Sequence, residues 1–424
     1  MARSYGTAAQ LLVLKESTYG TPPSGNYEKM SFFSSSIGAE QPLISDPLLG
    51  LGREPRAPFR DIMKADGDLV VAVEPRDFGR WLQFLMGAST DAGVAATGFI
   101  TFTANPSAGH TITLNGVVWT FVASGATGNQ TNIGANLNAT LTQLATDLNA
   151  SVNAGLTPAS YANGGGTKLN VTYKTTGAAG NAFTLVSGNA NGVVSGATLS
   201  GGGFTHTYIS GAATLPSFTA EVGHLNVPAY FVNTGCVLGS MDMDFQRTGG
   251  AKATLKVMAQ GETLNTTSGG GTPTTRIYKP FSQFNGSILR NGVALANVTG
   301  AKFTYSNGLQ TVPNLRPDAL IDAIDPTLIT INGSIDLRFA DTLLLSDAIN
   351  GSPIEVQLQY QFPGLDGNNF LLNWTFHSVY LPRPKMQISG PGGVQASFNW
   401  QAAYSDALSK SATVTLKNDV SVYA

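Results

Sequence analysis

The chain has 424 residues, enough for two or three ordinary domains, and its 42% hydrophobic content lets each bury a core. Only 12% of residues are charged, the net charge is −2 and there are 49 glycines, which favours strands and turns and gives no whole-chain attraction to nucleic acid or anionic membrane. The single cysteine, Cys236, excludes an internal disulfide framework and a Cys-clustered zinc site. No apolar run approaches the roughly 20 residues of a membrane helix, and Met1 to Gly6 lacks the features of a secretory signal, so synthesis in a cytoplasm is expected.

In the first part of the chain Ser31 to Ser36 reads as a strand, a long irregular arm runs from Ala39 to Ala65, and Asp66 to Val73 resumes as a strand. A helix is expected next. Pro75 suits its first turn, Phe78, Trp81, Leu82 and Leu85 make its apolar face, and Gly87 stands at a left-handed C-cap position.

Between Ala92 and Gly203 only Asp147, Lys168 and Lys174 are charged, and Gly-rich seams bracket the stretch, so it reads as an inserted domain. Within it Asn115-Gly116 predicts a hairpin between Thr111–Leu114 and Val117–Val122, because both turn residues accept positive φ. Ile133, Leu137, Leu141, Leu144 and Leu148 recur at helical spacing, and strands follow at Leu169 to Tyr173 and Phe183 to Val186. The insert is therefore expected to be a small α+β unit.

The second half repeats the order of the first. Ala301 to Ser306 is a strand, Leu309 to Ile329 an arm and Asn332 to Phe339 a strand. A helix capped by Asp341 follows, with Leu345 and Ile349 standing before Gly351 as Trp81 and Leu85 stand before Gly87. The expected division is 1–91 with 204–270 as a first lobe, 92–203 as the insert and 271–424 as a second lobe.

Chemical motifs mostly fail. Gly50-Leu51-Gly52 opens like a dinucleotide loop, but Pro55 takes the place of its third glycine. Asp242 and Asp244 alternate with Met241, Met243 and Phe245, which reads as a strand with one wet face rather than a cation site. His110, His206, His224 and His377 show no metal-ligand spacing, and no Gly-x-Ser-x-Gly elbow exposes a nucleophile. No enzymatic activity, catalytic residue, cofactor or metal is expected.

Several stretches resemble the tail tube (major tail) proteins of bacteriophages with long, flexible tails. They are the arm with Asp46-Pro47-Leu48-Leu49-Gly50-Leu51-Gly52-Arg53, the helix from Phe78 to Gly87, Ser282 to Ile288, Tyr380-Leu381-Pro382-Arg383-Pro384-Lys385, and Ile388 to Ser397. The resemblance implies a mainly β protein, two tandem β-sandwich lobes each with a flanking helix, whose inner strands join between subunits into a hollow barrel. It also implies stacked rings, passage of viral DNA without tight binding, a place in the virion tail, and neighbours such as the tape measure and tail terminator proteins.

Physical reading agrees, because strands with open edges must pair with something and ring closure removes the edges. Two lobes per chain favour a homotrimer with pseudo-sixfold symmetry, and one lobe per chain would need a homohexamer. Arms this long favour contact between subunits, which makes Arg53, Glu54, Arg56, Arg60 and Asp61 in the first arm and Arg316, Asp318, Asp322 and Asp325 in the second candidate contact residues. The lumen is expected to be acidic or neutral, since a basic lining would hold DNA. The alternative is a surface adhesin or carbohydrate-binding protein, resting on the insert's uncharged Asn, Thr and Gly surface. An outer-membrane barrel lacks both its signal and its regular ten-residue alternation.

Overall fold

The computed structural model describes residues 3–45, 49, 52–362, 370–385 and 393–423. The fold is mainly β and, among the described residues, its sheets do not close into a barrel. Two compact units are formed. The first comprises residues 1–89, 208–360 and 372–414, and the second comprises 90–207, 361–371 and 415–424.

One antiparallel sheet organises the first unit. Its strands are β1 (Phe32–Ser35), β2 (Gly38–Glu40), β3 (Lys64–Ala72), β4 (Ala229–Phe245), β5 (Lys252–Ala259), β6 (Val298–Ser306), β7 (Thr330–Arg338), β8 (Leu371–Tyr380) and β9 (Gln395–Ala402). Strands β1 and β2 lie end to end along β3, which pairs on its other side with β5. The sheet continues through β4, β6, β7 and β9, and the end of β8 pairs with β9 at Val379↔Ala402 and Tyr380↔Gln401.

The β4–β6 pairing, from Ser240↔Ser306 to Phe245↔Ala301, joins the two sequence repeats into one surface. Strand β4 is long enough to serve two sheets. Its first half pairs with Phe218–His224 and Gly261–Asn265, and its second half, beyond Gly235 at φ +62°, enters the long sheet. Side-chain alternation then gives one dry face. Leu69, Leu255, Met241, Tyr305 and Ile331 lie in one paired row across five strands, each at most 2% exposed. Each such side chain contributes about 2 kcal/mol of burial.

The duplicated order is visible in detail. Two residues separate Glu40 from a hairpin of Leu43–Ile44 with Phe59–Arg60, and two separate Ser306 from a hairpin of Leu309–Val312 with Ala323–Pro326. Three residues lead back from each hairpin into β3 and into β7. The arms expected as irregular are thus hairpin-based at their roots. The strand expected over Ser31 to Ser36 is β1, and β2 is a further short strand that runs into the start of the expected arm.

Helix α1 (Phe78–Met86) follows β3, and all nine of its residues are buried. Pro75 lies in the turn before it, where Phe78 N donates to Glu74 O (3.3 Å), rather than in its first turn. Gly87 takes φ +91° and its N–H donates to Gln83 O (2.9 Å).

Helix α3 (Leu343–Asn350) follows β7, with Asp341 Oδ1 accepting from Leu343 N (2.9 Å) and Gly351 at φ +67°. Its buried residues are Leu344 and Ala348, whereas Leu345 is half-buried and Ile349 is 52% exposed. The expected equivalence with Trp81 and Leu85 fails for a physical reason. In the first repeat Tyr208 Oη donates to Gly79 O (2.9 Å) and Phe218 stacks on Phe84 (4.2 Å), so a segment before β4 covers α1. On α3 the described contact is polar instead: Arg290, from the strand Gly286–Arg290, makes two bonds of 2.6 Å to Asp347.

The second unit holds the low-charge stretch. One four-stranded sheet runs in the order 130–132, 117–122, 111–114, 185–187, and another in the order 159–164, 168–173, 97–102, 192–194. Asn115 (φ +47°) and Gly116 (φ +80°) make the hairpin turn that their dipeptide predicts. Helix α2 (Leu137–Ala150) is capped by Asn136 Oδ1 from Ala139 N (2.9 Å), with Ile133 preceding it as a half-buried packing residue. Leu141, Leu144 and Leu148 bury against Trp119 and Phe121 in a core drawn from residues 96–199.

Candidate functional site

The face of the long sheet opposite the core is polar and of mixed charge. Alternation places Glu40, Asp66, Asp68, Asp242, Asp244 and Asp336 on it together with Lys64, Lys252, Lys256, Lys302 and Arg338. Opposite signs are neighbours. Lys256 pairs with Asp68 across the strands, Lys302 with Asp244 and Lys64 with Glu40, and Lys64 Nζ also lies 2.9 Å from Asp66. Lys252 Nζ stands 4.1 Å over the Phe33 ring. Between the charges lie Thr254, Ser240, Thr304, Ser306, Asn332, Ser334, Asn399 and Gln401, a wet surface of small side chains.

Asp242 accepts from Thr304 Oγ1, and Asp244 faces Lys302, so this pair belongs to the wet face. Among the described residues no group of three or more His, Cys, Asp or Glu side chains has metal-binding geometry. His206 is buried between Asp91 (2.7 Å), Asn418 (3.0 Å) and Val420 O (2.9 Å). Gly50 and Leu51 of the dinucleotide-like stretch, Asp46 to Leu48, and Ile388 to Gly392 lie outside the described residues.

The arms carry the candidate contact charges in two different states. Arg53, Glu54, Arg56 and Arg60 are exposed, while Asp61 is half-buried at the arm's root, its N–H donating to Pro42 O (3.0 Å). In the second arm Arg316 grips Asp318 through two bonds of 2.9 Å and Asp322 through a third of 2.9 Å. Those bonds hold the Asp318 carboxyl down at about 2, and Asn314 Nδ2 adds a bond to Asp322 (2.7 Å). Asp325 stands opposite Gln310 in the second hairpin. The arms meet where Met63 N donates to Ala319 O (2.8 Å), beside a cavity of about 600 Å³ lined by Pro42, Ile62, Met63, Met258, Thr311 and Ile321.

Sequence reasoning missed the polar groups that fasten the two repeats together. Arg80 of α1 makes two bonds to Glu28 (2.9 and 2.7 Å), and Arg276, on the connector between repeats, bonds both Glu28 (2.9 Å) and Asp77 (3.2 Å). Burial alone would raise the Glu28 carboxyl, but the two arginines overcome it and hold it at about 2. Glu221 is fully buried and accepts from Ser268 Oγ (2.6 Å) and Gly269 N (2.7 Å) of the same connector.

Asn307, only 2% exposed, donates Nδ2 to Leu85 O at the end of α1 (2.9 Å) and to Leu238 O in β4 (3.0 Å), so the second repeat clasps the first. Glu74 is the outlier. Burial and then the nearby Asp77 charge push its carboxyl up to about 7, and its Oε2 has no hydrogen-bond partner. The only sequence signal for these groups was charge within otherwise apolar stretches.

The sheet has one dry face and one wet face of balanced charge, and among the described residues β1 and β2 pair on one side only, the build of a structural protein. The chain belongs to the phage tail tube protein family, whose model matches residues 6–205 and again 186–402. No curated protein matches the sequence. The duplicated order and the double match describe the same tandem architecture, and membership gives the protein a structural role in the virion tail. Among the described residues no helix is long and apolar enough to cross a membrane.

Proposed function

We propose that three copies close edge to edge into a ring, that rings stack into the hollow tail tube of a long-tailed phage, and that viral DNA passes through the lumen to the host. The observation that carries this reading is the continuous sheet. It brings eight strand positions from each chain, counting β1 and β2 as one, and among the described residues β1 and β2 pair on one side only.

Barrel geometry selects the copy number. With strands about 4.8 Å apart and tilted about 40°, three chains give a wall of radius about 24 Å and, after side chains, a lumen about 36 Å across. Two chains leave about 20 Å, the width of a bare duplex, and six give a bore several-fold wider than transit needs.

The wet face lines the lumen in this reading. Six acidic against five basic side chains make it nearly neutral, so the polyanion is neither gripped nor strongly repelled. The lobes are 1–91 with 204–270 and 271–424, and 92–203 is a decoration domain carried by the tube. Tape measure and terminator proteins are the further partners that such a tube requires.

Electron microscopy of purified protein should show hollow rings or filaments with three chains per ring, and the free subunit should bind duplex DNA negligibly at physiological salt. Monomers alone at every concentration, or tight duplex binding, would refute the reading.

A further inference from the structure

The internal repeat supplies a template for the contact between copies, an inference that rests on the ring reading. Within one chain the root of the second arm leans on the last half of β4. Asn307 N donates to Gly239 O (2.8 Å), Asn307 Nδ2 reaches Leu238 O, and a methyl placed on Gly239 would stand 3.4 Å from Leu309 Cδ1.

Both partners in this junction have a twin in the other repeat, where Gln41 Nε2 turns to Asp61 O (2.8 Å) of its own arm and leaves its backbone N–H and Leu43 for the contact. On one side, Gln41 and Leu43 occupy in the first repeat the places of Asn307 and Leu309: Glu40↔Lys64 ends the β2–β3 pairing as Ser306↔Thr330 ends that of β6 and β7, and each hairpin starts three residues later. On the other side, β8 is the twin of β4. Tyr380 pairs with Gln401 of β9 as Val237 pairs with Met258 of β5, and β9 lies on β7 as β5 lies on β3. Leu381 and Pro382 therefore follow Tyr380 as Leu238 and Gly239 follow Val237.

Exposure marks the vacancy at Leu43, Tyr380 and Pro382. Leu309 is half-buried in its junction, but Leu43 is 64% exposed; Tyr380 is 45% exposed and Pro382 is exposed, whereas Val237 and Gly239 are covered or half-covered, and Leu381 keeps its side chain buried as Leu238 does, offering its carbonyl. A proline is tolerated at the place of Gly239, because the β4–β5 register shifts between Leu238 and Ser240 and such bulged positions do not require a ladder donor.

We propose that Gln41 and Leu43 at the root of the first arm seat on Leu381 and Pro382 of a second copy, repeating between chains the junction that Asn307 and Leu309 make with Leu238 and Gly239 within one. The occupant is a second copy because its surface is the same surface already seated once in the fold. The Tyr380 to Lys385 stretch, which has no chemical role of its own, then forms the receiving edge. The junction between chains lacks one element of the internal one, since Gln41 replaces the clasping Asn307. It is the weaker seam, where a ring opens first.

Cysteine cross-linking tests this. Protein with Leu43→Cys and Pro382→Cys, assembled and treated with a short bis-maleimide, should run as covalent dimers and trimers with no higher ladder. Each single variant should stay monomeric, and a mixture of the two single variants should give dimers. Cys236 is fully buried and does not compete. Gln41→Cys with Pro382→Cys serves as a second pair if the first does not assemble, with the same ladder expected. Rings or filaments of normal appearance that yield only monomers with both pairs overturn the junction and leave the tube standing. Failure of the unsubstituted protein to form any ring counts instead against the ring itself.

Discussion

Replacing Asn307 measures how firmly the two repeats are clasped. Its amide Nδ2 sits in a site 2% exposed and donates to Leu85 O at 2.9 Å and Leu238 O at 3.0 Å. Asn307→Ala strips both carbonyls of that donor in a place water does not reach, and a buried polar group left unmade costs about 1–3 kcal/mol. The sum is about 2–6 kcal/mol, a large part of an ordinary domain's stability. Asn307→Asp should cost more at pH 7, because it turns an acceptor toward two carbonyls and buries a charge. Urea unfolding followed by tryptophan fluorescence provides the assay: Trp81, Trp374 and Trp400 are buried in the first unit. The midpoint should fall with the slope unchanged. A loss below about 0.5 kcal/mol for the alanine variant, the range of ordinary surface changes, would show that the clasp is ornamental and that β4–β6 pairing alone joins the repeats.

Replacing residues 95–202 with a two-residue turn should leave a cooperatively melting protein that still assembles, because Val94 and Gly203 are already antiparallel partners and the excised core comes from residues 96–199; a non-cooperative melt would refute this. Arg53→Glu, Arg56→Glu and Arg60→Glu together should shift the melt by less than about 0.5 kcal/mol, since the arginines are exposed, yet weaken ring stacking and its salt dependence. Filaments of normal length at low salt would remove the first arm from electrostatic stacking. Glu74, whose carboxyl is raised from 4.5 to about 7 in the fold, stabilises fully below pH 4.5 and loses that contribution as pH rises through about 7. At about 1.4 kcal/mol per pH unit the loss by pH 9 is about 3 kcal/mol, so Glu74→Gln should flatten the fall in melting temperature between pH 5 and 9, and parallel curves for the two proteins would count against it.

What was legible in the sequence follows from what leaves a local imprint. Turn chemistry is local, so Asn115-Gly116 gave its hairpin directly. Repeat order is carried by spacing, so the arm, strand, helix sequence could be read twice although few letters agree. The balanced face of Asp242 and Asp244 was readable because alternation with Met241 and Met243 is a property of one strand. Cover is not local: Leu345 and Ile349 match Trp81 and Leu85 in spacing, yet nothing near them records that Tyr208 and Phe218 return to bury one helix while Arg290 meets the other through Asp347.

The same reasoning explains why the arm charges divide as they do. Arg316, Asp318 and Asp322 looked equivalent to Arg53, Glu54 and Arg56, since both sets are charges in long connections. Arg316, however, has two carboxylates within six residues, close enough for one guanidinium to reach both, and it closes the second arm on itself. Once both carboxylates are so held, breaking them out to meet another subunit forfeits three bonds in exchange for a rim contact of about 0–1 kcal/mol. The second arm is therefore the arm that braces its own fold, through its own ion pairs and through Met63 N to Ala319 O.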